Sequence, residues 1–268
     1  MRDKFPLDLL RSISISERKL SGFSIIAKNV PGILANVGKI CADRMINIVS
    51  IITSAEQIVG SDAHVFLIAD LTDSTTSPEA LREELSKINN IISVDIVEPF
   101  ANFIIDNTHF PLTLYGGKTR AIIIGESVIK GFLFGLSQQL GEPISQITLW
   151  NMGYGAGKEI WNLIYEWRKA AVKELVELML KTSIALGWFS KYEIVDYSPV
   201  SKYVKIRIWD NWECHARGIS GRPESHFLRG IFAGFFTKHF NENCQAFETK
   251  CISKGDEFCE FEIKVKES

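Results

Sequence analysis

Cys244-Gln-Ala-Phe247-Glu248-Thr249-Lys-Cys251-Ile-Ser-Lys-Gly255-Asp256-Glu-Phe258-Cys259-Glu260-Phe261-Glu262-Ile263 decides how the C-terminal half of this chain folds. Phe247, Thr249 and Cys251 alternate before the Gly255-Asp256 pair, and Phe258, Glu260 and Glu262 alternate after it. That pattern predicts a β-hairpin. Three of the five cysteines fall in the run, and Glu248 stands three positions before Cys251. Thiolates and a carboxylate are ligands that a tetrahedral zinc accepts, and a turn between two strands brings Cys251 and Cys259 toward one ion. The same cysteines also read as small buried hydrophobes, because the tight Cys-x2-4-Cys pair of many structural zinc sites is absent.

Upstream lies His226-Phe-Leu-Arg-Gly230-Ile-Phe-Ala-Gly234. Together with Glu248-x2-Cys251-x7-Cys259 it resembles the closing signature of the 4-vinyl reductase domain, and the resemblance covers roughly residues 110–265. It implies an α+β domain, an antiparallel sheet packed with helices, similar in fold to core subunits of the TRAPP vesicle-tethering complex. The family includes ligand-sensing input domains of phenol-responsive and xylene-responsive activators. In those sensors a zinc is held by the Glu-x2-Cys-x7-Cys set plus one earlier cysteine, which implies a structural zinc on Glu248, Cys251 and Cys259. The earlier cysteine falls on Ser225 here, and the neighbouring His226 is the candidate to fill its place.

Composition narrows the class. At 268 residues, two domains of ordinary size are expected, and 46 % hydrophobic with 23 % charged residues describes a globular chain with a sizeable core. A net charge of −2 offers no global attraction for nucleic acid or anionic lipid. The first twenty residues mix charges with scattered apolar positions and lack the apolar core of a signal peptide. No later stretch reaches the length of a membrane span. Five unevenly placed cysteines point to a reducing cytoplasm rather than a secreted disulfide framework.

After an N-terminal extension (residues 1–20), residues 21–99 alternate strand, helix, strand, strand, helix, strand. Strands are expected at 21–27, 46–53, 63–71 and 91–97. One helix follows Pro31-Gly32; the other opens with Ser77 as cap and Pro78 at its first position, with Leu81, Leu85 and Ile88 on one face. This ferredoxin-like βαββαβ order, with Asn29-Val30-Pro31-Gly32-Ile33-Leu34 at the first strand-to-helix turn, resembles an ACT domain, a regulatory module that often binds amino acids. The resemblance implies a ligand at Asn29–Leu34. Independently, Gly32 permits close backbone approach and the amides of a helix start favour an anion. Asn29 is neutral where the family often has an acidic residue.

Residues 100–119 read as a connector rather than a core element, and residues 110–266 as the domain that resembles 4-vinyl reductase. A strand is expected at 120–125, a helix at 126–140, and a long helix from about 156 to 186 with a break near 168–170. Gly153, Gly155 and Gly157 fit no phosphate loop and are read as close packing at that helix start. Cys214 and His215 are placed on a strand, where adjacent side chains point to opposite faces and cannot serve each other. All six tryptophans follow residue 149, and Trp150, Tyr154 and Trp167 are the first candidates for an aromatic-ligand pocket.

The expectation is a homodimeric sensor, more readily non-catalytic than an enzyme. It binds an amino acid and an apolar or aromatic molecule, with no direct nucleic-acid contact, no membrane, and a protein partner such as a transcription factor. A scaffold without ligand and a reductase-type enzyme are the alternatives.

Overall fold

The computed structural model describes residues 7, 9, 11–15, 17–54, 60–168 and 172–267, with the backbone alone at 167, 168, 172 and 173. The chain divides into two compact units, Met1–Ile122 and Ile123–Ser268.

In the first unit, β1 (Ser12–Ser14) precedes β2 (Leu20–Lys28), α1 (Ile33–Asp43), β3 (Asn47–Thr53), β4 (Asp62–Asp70), α2 (Pro78–Ser86), β5 (Ile91–Val97) and β6 (Phe103–Ile105). The unit closes with the short pair β7 (Thr113–Leu114) and β8 (Thr119–Arg120). The main sheet runs β3-β4-β2-β5, with every described pairing antiparallel. Side chains alternate across a strand, so Phe23, Ile25, Leu67 and Ala69 face a core shared with Val37, Leu81 and Leu85, while Phe66 and Ile68 face the other side. The α2 start is as the sequence predicts: Ser77 accepts from the amide of Ala80 at 3.2 Å and Pro78 opens the helix.

Residues 100–119 depart from the connector reading. β6 pairs with β1, and Ile104 is wholly buried with Leu20, Phe66 and Ile68. Arg11 reaches the buried Asp106 at 2.5 Å and pins the end of this ribbon. The pattern hid the strand because it is three residues long, with one inward side chain, next to Ala101 and Asn102 at positive φ.

The second unit contains α3 (Glu126–Leu140), α4 (Glu142–Arg168), α5 (Val172–Ala185), β9 (Lys191–Ser198), β10 (Tyr203–Trp209), α6 (Trp212–Arg217), α7 (His226–Phe240), β11 (Cys244–Lys250) and β12 (Cys259–Val265). The sheet order is β11-β12-β10-β9, antiparallel throughout. The hairpin at 244–265 stands as predicted. The strand expected at 120–125 shrinks to Thr119–Arg120, and the long helix begins at Glu142 rather than near Ala156.

The glycines therefore sit inside α4, not at its start, and their use is visible against α7. A Cβ on Gly153 would lie 2.0 Å from the carbonyl oxygen of Phe227, and one on Gly157 would lie 2.1 Å from that of Ile231. Reciprocally, a Cβ on Gly230 would meet the Trp150 carbonyl at 2.2 Å and one on Gly234 the Tyr154 carbonyl at 2.0 Å. Two Gly-x3-Gly faces bring the helix backbones into direct contact. Gly155, on another face, has nothing within 4 Å of such a Cβ.

Candidate metal centre and ligand groove

Four side chains from separate elements converge at one end of this sheet. β10 ends at Trp209, and Asn211 turns the chain into α6 by accepting from the amide of Glu213 at 3.1 Å. Cys214 is thereby carried inward on the first turn, while the His215 side chain stays exposed. The strand expected here is a helical turn, and that misreading concealed a donor. Glu248 lies near the end of β11, where the register shifts between Glu248 and Lys250. Asp256 accepts from the Cys251 amide at 2.8 Å and so fixes the turn that returns the chain to Cys259.

Donor atoms of Cys214, Glu248, Cys251 and Cys259 all lie within 4.8 Å of one another. Cys214 Sγ is 3.4 Å from Cys251 Sγ and 3.5 Å from Cys259 Sγ, and all five cysteines of the chain are free. Zinc–sulfur bonds of about 2.3 Å at tetrahedral angles place sulfurs about 3.8 Å apart, so the cluster has the scale of a metal site. All three thiols are buried. Asn211 Nδ2 approaches Cys214 Sγ at 3.3 Å and Cys259 Sγ at 3.5 Å, and the Ile252 amide points at Cys259 Sγ from 3.5 Å. Such donors stabilise thiolates.

Ser225, where the resemblance places a cysteine ligand, holds Glu248 instead. Its hydroxyl donates to Oε1 at 2.6 Å and its amide to Oε2 at 3.2 Å. His226 is not among the four donors. One position further into α7, its ring turns toward Glu224, with Nε2 3.6 Å from Oε2, and toward Arg229. Cys214 supplies the fourth place.

Electrostatics favour a cation here. Hydrogen bonds from Cys251 and Cys259 pull the Cys214 thiol down to about 4, while the same contacts and burial push Cys259 strongly upward. Burial raises the Glu248 carboxyl to about 8. Acidic donors so close together cannot all ionise without a positive ion. Among the described residues no lysine or arginine pairs with Glu248. The donor set thus fits a metal ion, and three sulfurs with one oxygen suit zinc.

A groove of about 350 Å³ is walled by Ile147 and Trp150 of α4, Arg229 of α7, and Ala246 and Phe247 of β11, the last of these preceding Glu248 in the chain. Of the three aromatic candidates, Trp150 lines it. Tyr154 stacks on Trp150 with ring centroids 5.1 Å apart and gives its hydroxyl to Thr237 at 3.2 Å. The side chain of Trp167 lies outside the described residues.

In the first unit, Asn29 is stitched by its backbone to the start of β4, donating to the Ser61 carbonyl at 2.7 Å and accepting from Gly60 at 2.8 Å. Gly32 precedes α1 at φ 96°, and among the described residues no side chain caps that helix. Ile33 is buried while Pro31 and Leu34 are exposed, so the turn presents backbone and two apolar side chains outward.

Residues 23–89 match the ACT domain family and residues 204–265 match the 4-vinyl reductase domain family. The chain therefore carries an ACT domain followed by a 4-vinyl reductase domain. It is similar to the uncharacterized protein MJ1642 of Methanocaldococcus jannaschii, 35 % identical over 80 residues, which are 30 % of this chain and 50 % of that protein. It is also similar to the uncharacterized protein MJ0150 of the same organism, 29 % identical over 122 residues, covering 46 % of this chain and 66 % of that one. The chain thus spans half of the first relative and just under two thirds of the second. Among solved structures, the phenol-responsive sensory domain of the transcription activator PoxR shares the fold, with a TM-score of 0.50 at 16 % identity over 56 % of this chain and 78 % of that one. No helix among the described residues is long and apolar enough to cross a membrane.

Proposed function

We propose that the chain is a non-catalytic cytoplasmic ligand sensor. Its 4-vinyl reductase unit takes a small apolar or aromatic molecule against Trp150, and Cys214, Glu248, Cys251 and Cys259 hold a structural zinc. The observation that carries this reading is the continuity of β11: Ala246 and Phe247 line the groove, and the next residue, Glu248, is a donor of the cluster. Zinc supplies a redox-inert cross-link among four donors. Around it, Cys214 ties the β10–α6 junction to the hairpin, and Ser225 orients the Glu248 carboxylate from the start of α7. A fold that serves a phenol-responsive sensor is able to hold an aromatic ring. Cys214 turns into the sulfur cluster while His215 faces outward, so the two do not form a nucleophile and base.

The ACT unit takes an amino acid or similar small anion at Asn29–Leu34, and a protein partner such as a transcription factor reads the state of both units. Two copies of the chain form a homodimer. Its support is α3, where Val128 and Phe132, 49 % and 62 % exposed, make an apolar stripe with Gly131 and Gly135 that a second copy would cover.

Elemental analysis of protein purified without an affinity tag or added metal tests the zinc, and calorimetric titration with phenol and with amino acids tests the ligands. Near one zinc per chain and saturable heat are expected. A metal-free protein with no heat from any of these would turn the reading to an assembly scaffold.

A further inference from the structure

We infer that the groove of the 4-vinyl reductase unit selects an anionic amphiphile, a small carboxylate on an aromatic or short aliphatic body, and that Arg229 meets the carboxylate. The inference rests on the reading of that groove as the ligand site. Its volume of about 350 Å³ is that of a small-molecule pocket, and Trp150, Ile147 and Phe247 give it apolar walls.

Arg229 is the one charged residue that lines the groove among the described residues. It is half-buried, its Nε is enclosed with no hydrogen-bond partner, and no carboxylate among the described residues pairs with it. Its Nη2 lies 3.5 Å from Nδ1 of His226, which brings no negative charge. It also stands in the first turn of α7, at the positive end of the helix dipole, where a cation is disfavoured. A partly desolvated guanidinium with no counterion, beside an apolar wall, is complementary to a carboxylate attached to an apolar body. The neutral amides of Gln146 and Gln245 complete the lining with further donors, and Lys264 lies over the Phe247 ring at 5.4 Å, adding positive potential on the same wall.

Calorimetric titration of the full chain with 3-phenylpropionate and hexanoate, each against its primary amide, tests this. The acids are expected to bind about tenfold tighter than the amides, the range of a charged hydrogen-bonded pair. In Arg229→Gln that gap should close. Equal binding of acid and amide by the unaltered chain would overturn the carboxylate inference and leave the groove reading standing. Heat from neither would overturn the groove reading itself and point to a second copy of the chain as the occupant. The acid–amide comparison on the unaltered chain decides the matter even if Arg229→Gln weakens the fold.

Discussion

Cys214 and Cys251 are 37 residues apart in the chain, and their sulfurs lie 3.4 Å from each other. One comes from a helical turn at the end of β10 and the other from the turn of a hairpin, so only a folded 4-vinyl reductase unit assembles the site. Binding of a metal ion there would therefore be coupled to folding.

Cys214→Ser should remove the bound metal and lower the stability of the unit by about 3 kcal/mol, roughly 10 °C in melting temperature. A chelator should produce the same fall in the unaltered protein and none in the variant. Full metal content in Cys214→Ser would reject the four-donor site.

Ser225 Oγ lies 3.2 Å from Cys214 Sγ and 2.6 Å from Glu248 Oε1, inside the same cluster. A thiol at 225 would therefore reach an ion held by Cys214. Ser225→Cys introduced into Cys214→Ser should restore metal content, whereas Ser225→Ala alone should weaken affinity about 10-fold to 100-fold by freeing the carboxylate. A competition assay with a colorimetric chelator reads both.

The helix crossing predicts opposite outcomes for glycines two positions apart. Gly157→Ala should cost about 3 kcal/mol, because its methyl group would fall 2.1 Å from the Ile231 carbonyl oxygen and the backbones would have to part. Gly155→Ala has open space and should stabilise by up to about 1 kcal/mol. Urea denaturation of the two variants side by side is the measurement.

His239 is buried among Phe235, Phe236 and Phe240, with Nε2 3.0 Å from the Tyr197 hydroxyl, and burial lowers its pKa to about 4. Its folded value is depressed below the unfolded 6.5, so the folded state holds fewer protons across that window. Stability is then complete above about pH 6.5 and falls as pH drops toward about 4, by up to about 3 kcal/mol from this group. His226, lowered to about 4 by burial, acts in the same direction. His239→Gln should flatten the loss between about pH 7 and pH 5; an unchanged slope would assign the acid sensitivity elsewhere.

Phe132 is 62 % exposed on α3. If a second copy covers it, Phe132→Glu should yield a monomer by light scattering at micromolar concentration, with the melting curve of a folded protein. A dimer that persists would move the contact to another surface.

The ACT half was legible because each element announced itself locally. Ser77-Pro78 marks a helix start, Leu81 and Leu85 give its buried face, and the alternation through Phe23 and Ile25 gives the strand. The hairpin with Glu248, Cys251 and Cys259 was legible for the same reason. Cys214 was not, since it was read as lying on a strand beyond the alternating run Tyr203–Asp210; the missed signal was Asn211, a capping residue that starts α6 two residues after β10 ends. The start of α4 was hidden by its glycines, which weaken helices by propensity. Their meaning appears only when Gly153-x3-Gly157 is set beside Gly230-x3-Gly234 in a distant helix, because a tertiary contact outweighs local preference there.

That interlocked crossing also decides which side of the groove is able to yield. Ile147 and Trp150 ride on α4 and Arg229 on α7, and the two helices touch backbone to backbone at Gly153 and Gly230, so these two walls behave as a single rigid body with no hinge between them. Room in the groove would then come from the third wall, the strand carrying Ala246 and Phe247. Because Glu248 follows directly on that strand, any displacement of Ala246 and Phe247 would be passed along β11 to the carboxylate that Ser225 holds.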